Sequence, residues 1–172
     1  MKKIILLRHA KSSWNHPGLS DHDRPLNKRG RAAAPVIGNW LSCKGHVPDV
    51  ILCSPSVRTQ ETVRRLEMTS DRQPALELQD SLYHASQDAL LHALRGLSDT
   101  YQSAMIVGHQ PGLSTFAGML AECAEAHCVQ AYQHFPTAAA AIFEADVSGW
   151  SALAYCSAWF RDFVKPRDLD GD

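Results

Sequence analysis

The chain has no apolar stretch long enough to cross a bilayer, no excess of charge of either sign, no Cys-x-x-Cys pair and no internal repeat. Each lack closes off a class. The first apolar run, Ile4 to Leu7, ends after four residues at Arg8; a transmembrane helix needs about 20 residues and the core of a secretory signal about 7–15. Neither a membrane segment nor an export signal is expected, and the protein reads as soluble and cytoplasmic. With 17 Lys plus Arg against 18 Asp plus Glu, the net charge is -1, which gives no bulk attraction to nucleic acid. The five cysteines are scattered and odd in number, a usage that suits buried thiols in a reducing compartment better than a disulfide framework. Nine histidines are present, yet His16 and His22, His84 and His92, and His127 and His134 show no paired-ligand spacing, so no metal is expected.

What is present is an alternation of strand and helix signals over a length that suits one domain. Lys3 to Leu7 is a short Ile/Leu run of the kind that forms a strand buried on both faces. A long polar loop follows from Arg8 to Leu26. Asn27 can cap a helix from about Lys28 to Ser42, with a kink or break predicted at Pro35. Strands are predicted at Asp49–Cys53, Ala75–Leu78 and Ser103–Val107, and helices at Gln87–Leu97 and Leu113–Ala124. Ala138–Glu144 and Ser151–Cys156 read as an antiparallel pair joined by a turn at Ser148-Gly149. The expected fold is α/β: a three-layer sandwich with a mostly parallel central sheet, helices on both faces and an antiparallel strand pair near the C-terminus. A single domain over residues 1–164 and a loose polar tail over 165–172 complete the expectation. Trp14, Trp40, Trp150 and Trp159 read as core positions.

Three runs each close a predicted strand with side chains suited to an oxyanion: LLRHA (Leu6 to Ala10), SPSVRT (Ser54 to Thr59) and VGHQPG (Val107 to Gly112). In an open parallel sheet the ligand crevice lies outside the carboxyl ends of the strands, so residues that follow separate strands meet there. Arg8, His9, Arg58 and His109 are therefore expected to converge. A neutral imidazole beside an arginine can attack phosphorus without a metal or a thiol, provided a backbone carbonyl accepts its Nδ1–H and leaves the other lone pair facing the substrate. The guanidinium forks of Arg8 and Arg58 match phosphoryl oxygens. Ser54 and Pro55 read as N-cap and first residue of a helix that aims Arg58 back at the sheet edge. His109, between glycine-bearing turns at a helix start, is a second partner for the same anion.

In this order the runs resemble the histidine phosphatase (phosphoglycerate mutase-like) superfamily, and within it the small SixA-type phosphohistidine phosphatases. RHAKSSWN (Arg8 to Asn15) is similar to the family's RHG signature, DRPLNKRG (Asp23 to Gly30) to the block that follows it in the SixA branch, and SPSVRTQET and VGHQPG to the second-arginine and second-histidine blocks. The resemblance implies that His9 becomes transiently phosphorylated and that Arg8, Arg58 and His109 complete the pocket. It also implies that no metal or organic cofactor takes part. Arg24 would add a contact. Asn15 matches a position that binds phosphate in some members, although an Asx-turn would use it equally well.

Two departures bear on substrate. Ala10 stands where the family usually has glycine, and the segment LQDSLYHAS (Leu78 to Ser86) contains no glutamate where ester-cleaving relatives carry their proton donor. Asp80 and His84 are the nearest replacements for a general acid. An alkoxide leaving group needs that proton badly, whereas the imidazole of a phosphohistidine leaves readily. The expected partner is therefore a phosphohistidine-containing protein. A phosphomonoesterase acting on a small phosphorylated molecule and a non-catalytic phosphate-recognition module are the alternatives.

Overall fold

The computed structural model describes residues 1–121 and 134–169. Along the chain run β1 (Lys2–Arg8), α1 (Lys28–Cys43), β2 (Val50–Cys53), α2 (Val57–Arg65), β3 (Ala75–Leu78), α3 (Gln87–Arg95), β4 (Ser103–Gly108), α4 (Gly112–Leu120), β5 (Ala140–Ala145) and β6 (Ala158–Val164). The strands form one sheet in the order β3-β2-β4-β1-β5-β6. β3, β2, β4 and β1 are mutually parallel, and β5 runs antiparallel to both β1 and β6.

Strand β1 shows how the sequence makes three layers. Its side chains alternate between faces, so Ile4 and Leu6 pack with Leu90, Leu94 and Phe116 of α3 and α4, while Ile5 and Leu7 pack with Ala34, Ile37 and Leu41 of α1. All four β1 residues are fully buried, each worth roughly 1.5–3 kcal/mol of apolar transfer. Helix α1 starts at Asn27, whose Oδ1 accepts from the Gly30 amide at 2.9 Å. It continues through Pro35 to Cys43, so the proline does not break it. The buried stripe of Ala34, Ile37, Gly38 and Leu41 holds it against the sheet, and Gly38 lies so near the Leu66 carbonyl that a Cβ would fall 1.5 Å from that oxygen.

Several local expectations need correction. The antiparallel partner of β5 is Ala158–Val164, not Ser151–Cys156. Trp150 is the cause: its backbone amide donates to Asp99 Oδ1 and its indole Nε1–H to the Tyr101 carbonyl, which commits Trp150–Ala152 to a 3-10 turn anchored by the buried indole. Of the tryptophans, Trp150 is fully buried, whereas Trp14 is 76% exposed, stacked against the Arg24 guanidinium at 3.6 Å. The end of the helix predicted at Leu113–Ala124 lies outside the described residues, as does the tail beyond 169. From Lys165 the chain makes a capped 3-10 turn at Pro166–Asp168, and Leu169 packs on the α1 face. No helix among the described residues is long and apolar enough to cross a membrane.

Candidate active site

The site is set by strand order. β1, β4 and β2 are neighbours whose C-terminal ends are level, Arg8 opposite Gly108 and Cys53 opposite Val107. The ladder continues one residue further, the His9 amide donating to the Gly108 carbonyl at 3.2 Å and the Ser54 amide to the Val107 carbonyl at 3.1 Å. His9, Ser54 and His109 thus leave the sheet side by side. The His9 and His109 ring centroids are 5.3 Å apart, about one inter-strand spacing.

The partners of each imidazole fix its protons. Nδ1 of His9 lies 2.7 Å from the Ala10 carbonyl; a carbonyl oxygen only accepts, so Nδ1 carries the hydrogen and Nε2 keeps its lone pair. His109 is arranged in the opposite sense. Its Nδ1 faces Arg58 Nη2 at 3.3 Å, and its Nε2 lies 2.7 Å from Ser54 Oγ. A guanidinium only donates, so Nδ1 accepts and Nε2–H donates to the serine. Both rings are buried. Burial, with the Arg58 and Arg8 charges adding to it, lowers the His9 pKa to about 4. Burial, then His9 and Arg58, lowers that of His109 to about 3. Both are neutral near pH 7.

Arg58 is 2% exposed. It is held from the far side by Asp21: Nη1 donates to the Asp21 carbonyl and Nη2 to Oδ2 at 3.0 Å. Arg8 Nη1 donates to the Phe135 carbonyl at 2.9 Å. In both arginines Nε is buried without a hydrogen-bond partner among the described residues. Both guanidinium charges bear on the His9 imidazole, so the site sets two cations against a neutral ring.

Asp21 is the residue the sequence gave no reason to single out. Its Oδ2 also accepts from Tyr83 Oη at 2.7 Å and His84 Nε2 at 3.3 Å, and its Oδ1 from Arg24 Nε and Nη2 at 3.1 and 2.9 Å. The tyrosine hydroxyl first, then the histidine and the arginines, hold its carboxyl far below the usual carboxylate range. Five donors on one loop carboxylate leave no pattern in one dimension. The cap position of α2 is Ser56 rather than Ser54, whose hydroxyl is taken by His109. Arg58 accordingly sits in the first turn of α2, at its second residue.

The remaining candidates divide. His84 stacks on His109, centroids 5.3 Å apart and planes 7° from parallel. Arg24 braces the loop through Asp21, Ser12 Oγ and the Ser13 carbonyl, and its charge reaches His9. Asp80 is exposed on a 3-10 turn, and Asn15 is exposed with its amide on Ser13 Oγ; among the described residues no hydrogen bond or ion pair joins either to the histidines. Nor do the described residues include a cluster of three His, Cys, Asp or Glu able to hold a metal ion.

Residues 4–83 match the model of the histidine phosphatase superfamily (branch 1). An uncharacterized protein of Mycobacterium tuberculosis is 30% identical over 165 residues, covering 94% of this chain and all of the relative. The chain belongs to the histidine phosphatase superfamily. Among solved structures, SixA of Agrobacterium tumefaciens, a candidate phosphohistidine phosphatase, is 28% identical with a TM-score of 0.79, covering 96% of this chain and 98% of that one. The SixA counterpart from Nakamurella multipartitia superposes with a TM-score of 0.82 at 24% identity, 96% of each chain covered. This histidine phosphatase therefore has the SixA-type fold, and as a phosphatase it acts on phosphorylated substrates. The family match takes in Arg8, His9 and Arg58; His109 and His84 lie beyond it and join the site through β4 and the loop after β3.

Proposed function

We propose that this histidine phosphatase hydrolyses phosphohistidine on a protein, with His9 as the nucleophile. The observation that carries the reading is the state of Asp21. It is the carboxyl group that touches Arg58, and four side chains keep it ionised, so it has no proton to give a leaving group. Chemistry that needs a strong acid is poorly served here, and a leaving imidazole needs the least help.

In the first step the Nε2 lone pair of His9 attacks phosphorus in line. A P–N bond forms to His9 as the P–N bond of the substrate breaks, and the departing imidazole takes a proton from solvent. Like is exchanged for like, so positioning and charge stabilisation are the main demands. Arg8 and Arg58 supply the latter through the charge of their guanidinium groups, set beside the nucleophile. His109 stays neutral, and its Nδ1, accepting from Arg58 Nη2, holds that guanidinium toward the phosphoryl group. Water then attacks phospho-His9, releasing inorganic phosphate and restoring the neutral ring. No step draws on a metal or cofactor.

A second reading, a phosphomonoesterase for a small metabolite, draws on His84. Stacked on His109 and bonded to Asp21 through Nε2, it is the imidazole of the Leu78–Ser86 segment that reaches the site. Rapid-quench labelling with a phosphohistidine peptide tests both readings. The expected result is an acid-labile, alkali-stable, chelator-insensitive phosphoenzyme absent in His9→Ala, with kcat/KM at least about 100-fold above that for a sugar phosphate, which is the discrimination about 2.7 kcal/mol of transition-state binding gives. Preference for the sugar phosphate, or label found on serine, overturns it.

A further inference from the structure

Arg8 faces two places. Beside Arg58 it belongs to the phosphate site, and it also lines one end of a groove of about 750 Å³. The cations Lys11, Arg29, Lys165 and Arg167 line that groove as well, and no carboxylate does among the described residues. The chain as a whole balances 17 basic against 18 acidic residues, so this is a local concentration of one sign. Asp168 offsets it little: it stands 3.8 Å from Lys165 Nζ and 3.9 Å from Arg167 Nε, the latter side chain 78% exposed, and such solvated pairs neutralise weakly. Between the cations the floor is apolar, built from Ala33 and Val36 of α1 with Phe135 and Pro166.

The groove follows the edge of the sheet on which His9 stands. It starts at Arg8, at the end of β1, passes the residues that lead into β5 and finishes at the turn after β6. β1 and β6 are separated by β5 alone, so the span is two strand spacings, about 10 Å. An extended chain covers that with about three residues. Its wall next to the site is fixed, since Arg8 Nη1 and Gln110 Nε2 both donate to the Phe135 carbonyl, at 2.9 and 3.2 Å.

We propose that this groove receives an extended, acidic segment of the phosphorylated protein, adjoining the phosphohistidine presented to His9. The proposal rests on the phosphohistidine reading above. Carboxylates spaced along the segment meet Lys11, Arg29, Lys165 and Arg167, and apolar side chains between them cover the floor. A small phosphorylated metabolite bound at His9 reaches Arg8 but leaves the β6 end of the groove uncovered.

Two measurements on the full chain test this, one of them independent of turnover. Fluorescence anisotropy with a labelled, unphosphorylated Glu/Asp-rich peptide should show binding that weakens with salt. A Lys-rich peptide of the same length should not bind. The double variant Arg29→Glu/Arg167→Glu, both residues exposed, should melt at the wild-type temperature yet bind the acidic peptide about tenfold more weakly, as reversal of two solvated contacts implies. For phosphohistidine peptides, the ratio of kcat/KM between Glu-flanked and Ala-flanked substrates should fall by a similar factor in that variant. Equal binding of acidic and basic peptides, insensitivity to the double reversal, or capture of pyrophosphate with no peptide binding overturns the groove's assignment. Peptide binding as expected without any phosphohistidine turnover leaves the groove standing and removes the proposed function instead.

Discussion

The Asp21 carboxylate lies 3.0 Å from Nη2 of Arg58, and the Asp21 backbone carbonyl accepts from Nη1 of the same guanidinium. An arginine proposed to grip phosphoryl oxygens is thus held by an internal anion, which orients it and competes with the ligand. The two effects have opposite signs on binding and turnover, and a single substitution separates them.

Asp21→Asn removes the competing charge and weakens four side-chain contacts at once. Inorganic phosphate should inhibit about three- to tenfold more tightly, a modest effect because the carboxylate is 43% exposed and screened. Turnover should fall about tenfold as Arg58 and His84 lose their orientation. Product-inhibition kinetics read both numbers. Weaker phosphate binding in the variant would show that orientation, not competition, dominates.

The two buried imidazoles set a pH dependence. Their folded pKa values, about 4 for His9 and about 3 for His109, lie below the ordinary 6.5. Between roughly pH 4 and 6.5 the unfolded chain therefore binds protons that the native state does not. Stability rises with pH through that window and is lost as pH falls through it, by on the order of a few kcal/mol for the interacting pair. Carbon-detected NMR of the histidine Cε1–H groups should show two resonances that stay neutral from pH 8 down to 5. Midpoints near 6.5 for both would refute the assignment.

Ser54→Ala leaves His109 Nε2–H buried with no acceptor. Ser54 is fully buried, so the expected loss is about 1–3 kcal/mol of stability, read by denaturant unfolding. Because the serine anchors the His109 ring, whose tautomer Arg58 sets, kcat should drop more than KM changes. Ser54→Thr, which keeps the hydroxyl, should restore most of kcat.

Gly112 tests how the loop after β3 reaches the site. A Cβ at Gly112 would stand 2.1 Å from the Ala85 carbonyl, and Ala85 follows His84. Gly112→Ala should push that loop outward, cost about 1–3 kcal/mol and separate the His84 and His109 rings. If the loop matters for catalysis, activity at a temperature where the variant remains folded should fall about tenfold; unchanged activity would place His84 outside the reaction.

Much of the scaffold was legible along the chain because it is local. β3 begins and ends at Ala75 and Leu78 as read, Asn27 caps α1, and the Ile/Leu run of β1 is buried on both faces. A break at Pro35 and a strand at 151–156 did not form, since tertiary packing overrode a local preference: the buried stripe of α1 carries the helix through the proline, and the Trp150 anchors exclude a strand there.

For the site, the sequence by itself determined which groups leave the ends of β1, β2 and β4, because parallel strands deliver their following residues to one edge whatever lies between them. Their states were decided only by the tertiary structure. The tautomer of His109, the anion set against Arg58 and the approach of His84 rather than Asp80 to that anion depend on residues 37 to 63 apart meeting within hydrogen-bond distance. Hydrogen bonding and desolvation act through space at a few ångströms, so no spacing along the chain encodes them.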